Sequence, residues 1–379
     1  MPTDTDTNNQ RRRMSWVMIV IRTVLLILTV IIDSGLIISA YAGKVNPEIE
    51  PVAALAGMTL PAWILGAIVI MLLTFIAWWK LALFQLAAFL LCLSPILDYC
   101  PLHFFTKKAP DEQPEFTLMT YNTYGFVNQY NVYPGDRNQT LSYILDSDAD
   151  IVCLQESPSL APDAETHITE AQVDSLHKLY PYVFKAGRNQ NVLSKFPIEP
   201  VATGFEPGEA GTLDLACYRA MIHGRKVTIF NVHMRSFWLE YDERELYLGL
   251  TEGHEEDMSV VRNKLLKKIA QKCAYRAREV HELIGYIRRF AGPDAIVCGD
   301  FNDVPGCFSL RQLEKHSDLH SVVSKVGFGP MITYNADRFY FRIDHILYRG
   351  ALEPLSVKRG DIRSSDHYPL TATFTLKEK

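Results

Sequence analysis

With 379 residues the chain has room for two domains, or for one large domain and an appendage, and its 48% hydrophobic content supplies an ample core. A formal net charge of −5 excludes a strongly basic nucleic-acid footprint over the whole chain. The seven cysteines, at 92, 100, 153, 217, 273, 298 and 307, form no CxxC pair and therefore define neither a zinc centre nor a redox motif; they read as buried thiols.

The mean hydropathy of +0.01 averages an oily N-terminal part with an ordinary soluble one. After a polar tail, 1–13, ending in Arg11-Arg12-Arg13, the stretch 14–42 is apolar except for Arg22 and Asp33. These two stand eleven residues apart, nearly eclipsed on a helix, and both are expected to face protein rather than lipid. The runs 52–79 and 81–99 are also long enough to cross about 30 Å of hydrocarbon. Lys80 marks a tight hairpin between them, and Trp78, Trp79 and Tyr99 sit at interfacial positions. Residues 14–100 are therefore expected to form a membrane region of three transmembrane helices, with the lipid bilayer as partner. Ala40-Tyr41-Ala42 resembles a signal-peptidase site, so the first run is either cleaved or retained as a span. Both versions, with the basic tail inside, predict a multi-pass protein of the cell (inner) membrane whose C-terminal domain is extracytoplasmic. Lys107 and Lys108 argue against that orientation.

Pro101, Pro110 and Pro114 make 101–115 a linker, and the soluble domain is expected over 116–379. Residues 116–121 are strand-like and run into Asn122; 150–154 run into Gln155-Glu156. Leu141, Ile144 and Leu145 give 139–147 a helical pattern. Residues 191–198 read as one strand, and His223-Gly224-Arg225 joins the strands 214–222 and 226–232 in a hairpin ending on His233. From 255 to 290 apolar residues recur at helical spacing with Lys and Arg between them, as one helix or two abutting ones, packed on a sheet rather than on nucleic acid or lipid.

Ala295-Ile296-Val297-Cys298-Gly299-Asp300-Phe301-Asn302 is an apolar run that stops on a carboxylate and an amide. Asp300 and Asn302, two apart, point to one side if the strand continues, and Gly299 leaves space for a ligand near the backbone. A plain Asx turn is the alternative, supported by Pro305-Gly306. Strands at 342–348, carrying Asp344, and 368–376, immediately after Asp366 and His367, close the chain. Many strands joined by short turns and few helices make a mixed α+β sandwich of two sheets. Its strand ends collect Asn122, Glu156, His233, Asp300, Asn302, Asp344, Asp366 and His367. The oxygens of Glu156, Asp366 and Asn122 suit Mg2+ or Mn2+ better than zinc, and hydrolysis of a phosphodiester needs such a cation, an acceptor for the water proton and donors for developing charge.

Seven motifs occur in order: Tyr121-Asn122, Leu154-Gln155-Glu156, Leu193-Ser194-Lys195 with Pro197-Ile198, Asn231-Val232-His233, Gly299-Asp300-Phe301-Asn302, Arg342-Ile343-Asp344, and Ser365-Asp366-His367-Tyr368-Pro369. With them the region 116–379 resembles the endonuclease/exonuclease/phosphatase superfamily. The resemblance implies a DNase I-like, four-layer α/β/β/α sandwich. It implies a metal on Asn122, Glu156 and Asp366, and Asp300 positioning or deprotonating the water. Asn302 would grip the phosphate, His367 oriented by Asp344 would contact it, and His233 would stabilise the transition state or assist the leaving group. Ser157-Pro158 after Glu156 departs from abasic-site endonucleases, the residues before Arg342 lack the Trp-Cys of inositol polyphosphate 5-phosphatases, and the Tyr-x-Arg-Glu element of secreted DNase I is missing. The expected function is a membrane-anchored, metal-dependent phosphoesterase acting on a lipid-borne or small phosphoester. The alternatives are a nuclease acting on DNA or RNA and, from another class, an inactive membrane-bound binding module. Arg188, Lys195 and Arg235 stand near motif residues as candidate phosphate binders. No protein partner is inferred.

Overall fold

The computed structural model describes residues 4–105, 107–108, 113–206, 208, 212–236, 258–336 and 339–377. Five helices come first: α1 (Asp4–Tyr41), α2 (Pro51–Met58), α3 (Leu60–Ala77), α4 (Trp79–Leu91) and α5 (Leu93–Tyr99). The rest follows as β1 (Glu115–Asn122), α6 (Gln139–Ser147), β2 (Ile151–Gln155), α7 (Glu170–Leu179), β3 (Tyr182–Ala186), β4 (Gln190–Ser194), β5 (Ile198–Pro200), β6 (Asp214–Ile222), β7 (Arg225–His233), α8 (Met258–Phe290), β8 (Ala295–Asp300), α9 (Phe308–Ser317), β9 (His320–Ser321), α10 (Val322–Val326), β10 (Tyr334–Ala336), β11 (Phe339–Phe341), β12 (Asp344–Arg349), β13 (Leu352–Arg359) and β14 (Leu370–Leu376).

Side-chain alternation builds the layers. On β1 and β2, Phe116, Leu118, Ile151 and Cys153 point one way and meet Tyr218, Ile229, Ile296, Cys298 and Ile346 of the other sheet. The alternate residues Met119, Tyr121, Val152 and Leu154 turn outward, under Leu141 and Ile144 of α6 and Leu176 of α7. On the far side, Phe230, Val232 and Val297 meet Val280, Leu283 and Ile287 of α8. Each such fully buried aliphatic side chain contributes about 1.5–3 kcal/mol. Helix, sheet, sheet and helix thus stack as four layers, the expected α+β sandwich.

The sheets run β13-β14-β1-β2-β4-β3 and β5-β6-β7-β8-β12-β9, with a separate β10-β11 hairpin. Each six-stranded sheet contains one parallel pair, β1 with β2 and β7 with β8, so the C-terminal ends of each pair coincide. The registers Asn122↔Gln155 and His233↔Asp300 place those ends side by side. Strand β12 is antiparallel to β8, and its first residue Asp344 lies opposite Asp300.

Several sequence expectations change. The strand expected over 191–198 is two: β4 ends at Ser194, whose hydroxyl accepts the Phe196 N–H, and after Pro197 the chain enters the other sheet as β5. The fold fills the space beside Gly299 with its own backbone. At φ +142, an added Cβ would come 1.8 Å from the Val232 carbonyl oxygen, so β7 leaves no room there for a ligand. The basic segment is a single helix from Met258, with 255–257 outside the described residues. The hairpin turn is His223-Gly224, both at positive φ.

Two helices, Ser15–Lys44 and Leu60–Ala77, are long and apolar enough to cross a membrane; α4 and α5, bent by 62°, would make a third. The second expected run breaks at Thr59, ahead of Pro61 in the first turn of α3. Asp33 is buried as expected, but Arg22 is exposed, with its guanidinium carbon 5.7 Å from the Trp78 ring centroid. Its long stem lets the charge reach the helix end instead of the bundle interior. The end of the bundle that carries residues 40–50 and 98–101 docks on the sandwich: Arg278 pairs with Glu48 at 2.7 Å, Arg311 donates to the Ala40 carbonyl, Gly329 N–H donates to the Pro101 carbonyl, and the fully buried Arg342 donates to the carbonyls of Asp98 and Pro330.

Candidate active site

Inward-facing positions on neighbouring strands carry their last polar residues to one end of the sandwich. Asn122 on β1, His233 on β7, Asp300 on β8 and Asp344 on β12 share the parity of Leu118, Ile229, Ile296 and Ile346, so all emerge between the sheets. Just beneath them Gln155 Nε2 donates to Asn231 Oδ1 at 2.6 Å, and Asn231 Nδ2 donates to the Leu154 carbonyl at 2.9 Å. This buried amide pair crosses from one sheet to the other and closes the floor of the site.

The Asn122 amide nitrogen donates to Glu156 Oε1 and Asp300 Oδ2, both at 3.0 Å, and its oxygen accepts the Tyr124 N–H. Glu156 and Asn302 are held at positive φ, 47° and 49°, unusual for a glutamate and tolerated by an asparagine. Asn302 N–H donates to Asp300 Oδ1 at 2.8 Å, an Asx-type turn, while its side-chain amide donates to the Met234 carbonyl at 3.1 Å. The turn reading and the site reading therefore describe the same residues. His233 Nε2 lies 3.6 Å from Asp300 and 3.7 Å from Glu156.

His367 is buried between two carboxylates, with Nδ1 2.8 Å from Asp344 Oδ2 and Nε2 3.6 Å from Asp300 Oδ2. Burial alone lowers an imidazole pKa, but Asp344 and Asp300 outweigh it and hold His367 well above its ordinary value. Burial, together with Asp344, raises Asp300, with His367 and His233 pulling it back. Burial, joined by Glu156 and Asp300 and opposed by His367, lifts Asp366 to about 6. Thr333 Oγ1 accepts the N–H groups of Ile343 and Asp344, both at 3.0 Å, and fixes the start of β12. Ser365 Oγ donates to the Asn122 carbonyl at 2.8 Å and accepts the His367 N–H, tying the 365–367 segment to β1.

The carboxylates fit a hard divalent cation. Asp300 and Asp344 lie with His367 in a group whose ligand atoms are all within 4.8 Å of one another, but a protonated His367 offers no lone pair; among the described residues Asp344 Oδ1 is buried without a hydrogen-bond partner, and Glu156 and Asp366 add partly exposed carboxylates.

All eight strand-end candidates gather here. Of the basic candidates, Arg188 lies at the rim: its N–H donates to Asp214, which pairs in register with His233, and its guanidinium donates to the Gly208 carbonyl. Arg235 follows His233 by two residues but spends its guanidinium on Glu279, 3.3 Å away. Lys195 is not brought to the site. Because β4 is antiparallel to β2, Ser194 pairs with Ile151, and Lys195 lies at the opposite end of the sheet in ion pairs with Asp148 and Asp150. Sequence reasoning missed the roles of Gln155, Asn231, Thr333 and Ser365. For the first two the signal was present, as polar residues at inward positions of apolar strands; Ser365 stood in a quoted motif without a role, and Thr333 carried no signal.

Residues 119–367 match the model of the Endonuclease/Exonuclease/phosphatase family, and residues 22–99 match a domain of unknown function. Solved structures similar to the chain include an endonuclease/exonuclease/phosphatase from Beutenbergia cavernae (15% identity, 69% of this chain and 72% of that one, TM-score 0.45) and the human Nocturnin catalytic domain with bound sulfate (18%, 72% and 98%, 0.44). Another is TDP2 from D. rerio complexed with single strand DNA product (16%, 69% and 98%, 0.43). No curated protein matches the chain.

Proposed function

The chain belongs to the Endonuclease/Exonuclease/phosphatase family and is a metal-dependent phosphoester hydrolase; from that premise we propose that it is membrane-anchored and acts on a lipid-borne or small phosphoester. In this reading 14–100 anchors the catalytic domain 116–379 through the segment 101–115, with the domain on the extracytoplasmic side. The apolar helices support the anchor. The observation that carries the chemistry is the gathering of four carboxylates, two imidazoles and two amides at one end of the sandwich.

Glu156 and Asp366, with the Asn122 amide beside them, would hold Mg2+ or Mn2+, which supplies charge neutralisation at the phosphate when bound. Asp300 has Oδ1 held by Asn302 N–H and Oδ2 by the Asn122 amide, which fixes the carboxylate toward the site, where it would orient the attacking water and accept its proton. His367, kept cationic by Asp344, presents Nε2 to the phosphate oxygens, where negative charge develops. His233, partly exposed, stands where it can hold a proton for the leaving oxygen. Asn302, whose side-chain amide donates to the Met234 carbonyl, would contact the phosphate in this reading. Hydrolysis breaks one P–O bond as the water oxygen forms another, and the leaving oxygen departs with the proton.

The test is a panel of DNA, RNA, sphingomyelin and other phospholipids offered to the full chain with Mg2+, with and without excess EDTA. Loss of turnover in EDTA is expected, and a fall in kcat of roughly 10² or more with His367→Ala. Undiminished activity in EDTA would overturn the metal role. Cleavage of duplex DNA that falls steeply with salt, with no lipid turned over, would replace the lipid reading by a nuclease.

A further inference from the structure

A cavity of about 670 Å3 opens directly beside the site. It is lined among others by Phe328, Asn335, Tyr340, Arg359, Arg363 and Tyr368. Tyr368 follows His367 in the chain, and the Asn335 N–H donates to the Asp366 carbonyl at 2.9 Å, so the cavity shares a wall with the proposed metal and phosphate groups. Its walls are fixed before any ligand arrives. The Asn335 amide donates to the Tyr368 hydroxyl at 2.6 Å, and the Arg359 guanidinium carbon lies 4.2 Å from the Tyr368 ring centroid. Gln129 Nε2 donates to the carbonyls of Arg363 and Ser365, which sets the loop carrying the second arginine.

Arg359 and Arg363 both line the cavity, and neither forms an ion pair among the described residues. An anion there would take charge-assisted hydrogen bonds, which planar guanidinium gives to phosphate better than ammonium does. The other side of the cavity is aromatic and faces the membrane region. Phe328 pairs with Leu102 just beyond the helical bundle and packs on Phe104 with ring centroids 5.0 Å apart. Phe104 and Phe105 are 70% and 87% exposed, as expected of side chains that enter an interface between water and lipid.

We propose that this cavity is the subsite for a second phosphate group of a lipid substrate, with Arg359 and Arg363 as specificity-determining residues and Phe104, Phe105 and Phe328 on the path to the bilayer. This deepens, and rests on, the reading of the neighbouring site as a phosphoesterase. The scissile phosphate would sit at His367 and Asp300, the second phosphate between the arginines, and the apolar part of the lipid toward the helix ends.

The test uses the full chain in vesicles with Mg2+. Turnover of cardiolipin, whose headgroup carries two phosphates, is compared with that of phosphatidylglycerol, which carries one, and with water-soluble deacylated cardiolipin, which keeps both phosphodiesters. A kcat/KM preference for cardiolipin over phosphatidylglycerol of roughly tenfold or more is expected, in line with one added charge-assisted contact. Arg359→Ala with Arg363→Ala should bring the ratio near unity, and Arg359→Lys with Arg363→Lys should recover only part of it. A preference unchanged in the double alanine variant would overturn the subsite. The deacylated diester turned over as well as the lipid, or arginines that matter only for an oligonucleotide, would overturn the lipid assignment. If wild type hydrolyses no phosphoester, the proposed function fails by itself. The subsite is then judged by thermal shift: glycerol 1,3-bisphosphate stabilising wild type but not the double variant supports it, and no shift in either overturns it.

Discussion

The two sheets reach the same site with different kinds of residue. The sheet of β1 and β2 delivers Glu156 and, through the segment before β14, Asp366; both carboxylates are partly exposed, as ligands for a hydrated cation should be. The sheet of β7, β8 and β12 delivers Asp300 and Asp344, buried and locked to His367, an arrangement suited to holding and moving a proton. Glu156 and Asp300 arrive at the shared ends of the parallel pairs, whereas Asp344 starts β12, antiparallel to β8, and so reaches the same end from the other direction. The proposed mechanism divides labour accordingly, with cation binding on one sheet and proton handling on the other, bridged by Asn122 and the Gln155–Asn231 pair.

The largest effects should come from the buried side. Asp300→Asn and His367→Ala are each expected to lower kcat by roughly 10² or more with little change in the metal concentration needed, read from steady-state kinetics over a Mg2+ titration. On the open side, Glu156→Gln should raise the Mg2+ needed for half-maximal rate by about tenfold or more, and saturating metal should restore much of the rate. If Glu156→Gln is as dead as Asp300→Asn at every Mg2+ concentration, the division between the sheets is wrong.

The next effect is on stability. Asp366 titrates at about 6 in the fold against the ordinary 3.8. A raised carboxyl stabilises the fold fully below the lower value, and its contribution is lost as pH rises through the higher one. Metal-free protein should therefore lose denaturant resistance between those pH values, Asp366→Asn should flatten that slope, and Mg2+ should restore stability above it by binding the ionised form. The smallest effect belongs to a residue between the two sets. Contact with Cys153, along with burial, holds the Cys298 thiol well above its ordinary value, so Cys298→Ser should change kcat by less than about threefold. A dead Cys298 variant would point to thiol chemistry and dissolve the comparison altogether.

Legibility in the sequence followed the range of the interaction. Strands such as 115–122 and 295–300 could be read because their alternation and polar ends are local, and α6 falls on the expected 139–147 because Leu141 and Ile144 repeat on one face. Helix α7 carried a legible start that went unread, the capping box of Thr169 and Gln172. Lys195 was misplaced because strand direction, which decides the end at which a residue emerges, is set by pairing with β2 rather than by residues near 195. The contacts of Thr333 with Asp344 and of Ser365 with Asn122 join segments 11 and 243 residues apart, and no period encodes either.

Arg342 bears on how the protein can be taken apart. It immediately precedes Ile343-Asp344, is fully buried, and burial pulls its pKa down to about 10, opposed by Tyr99 and Asp98 of α5. One of its two carbonyl partners, Asp98, thus belongs to the last of the N-terminal helices. A fragment cut at residue 116 would leave that guanidinium with half its hydrogen bonds, next to the strand that positions His367. Deleting the N-terminal helices up to residue 116 would therefore injure the site at a distance, and a cut ahead of residue 93, which keeps α5, is the cleaner one.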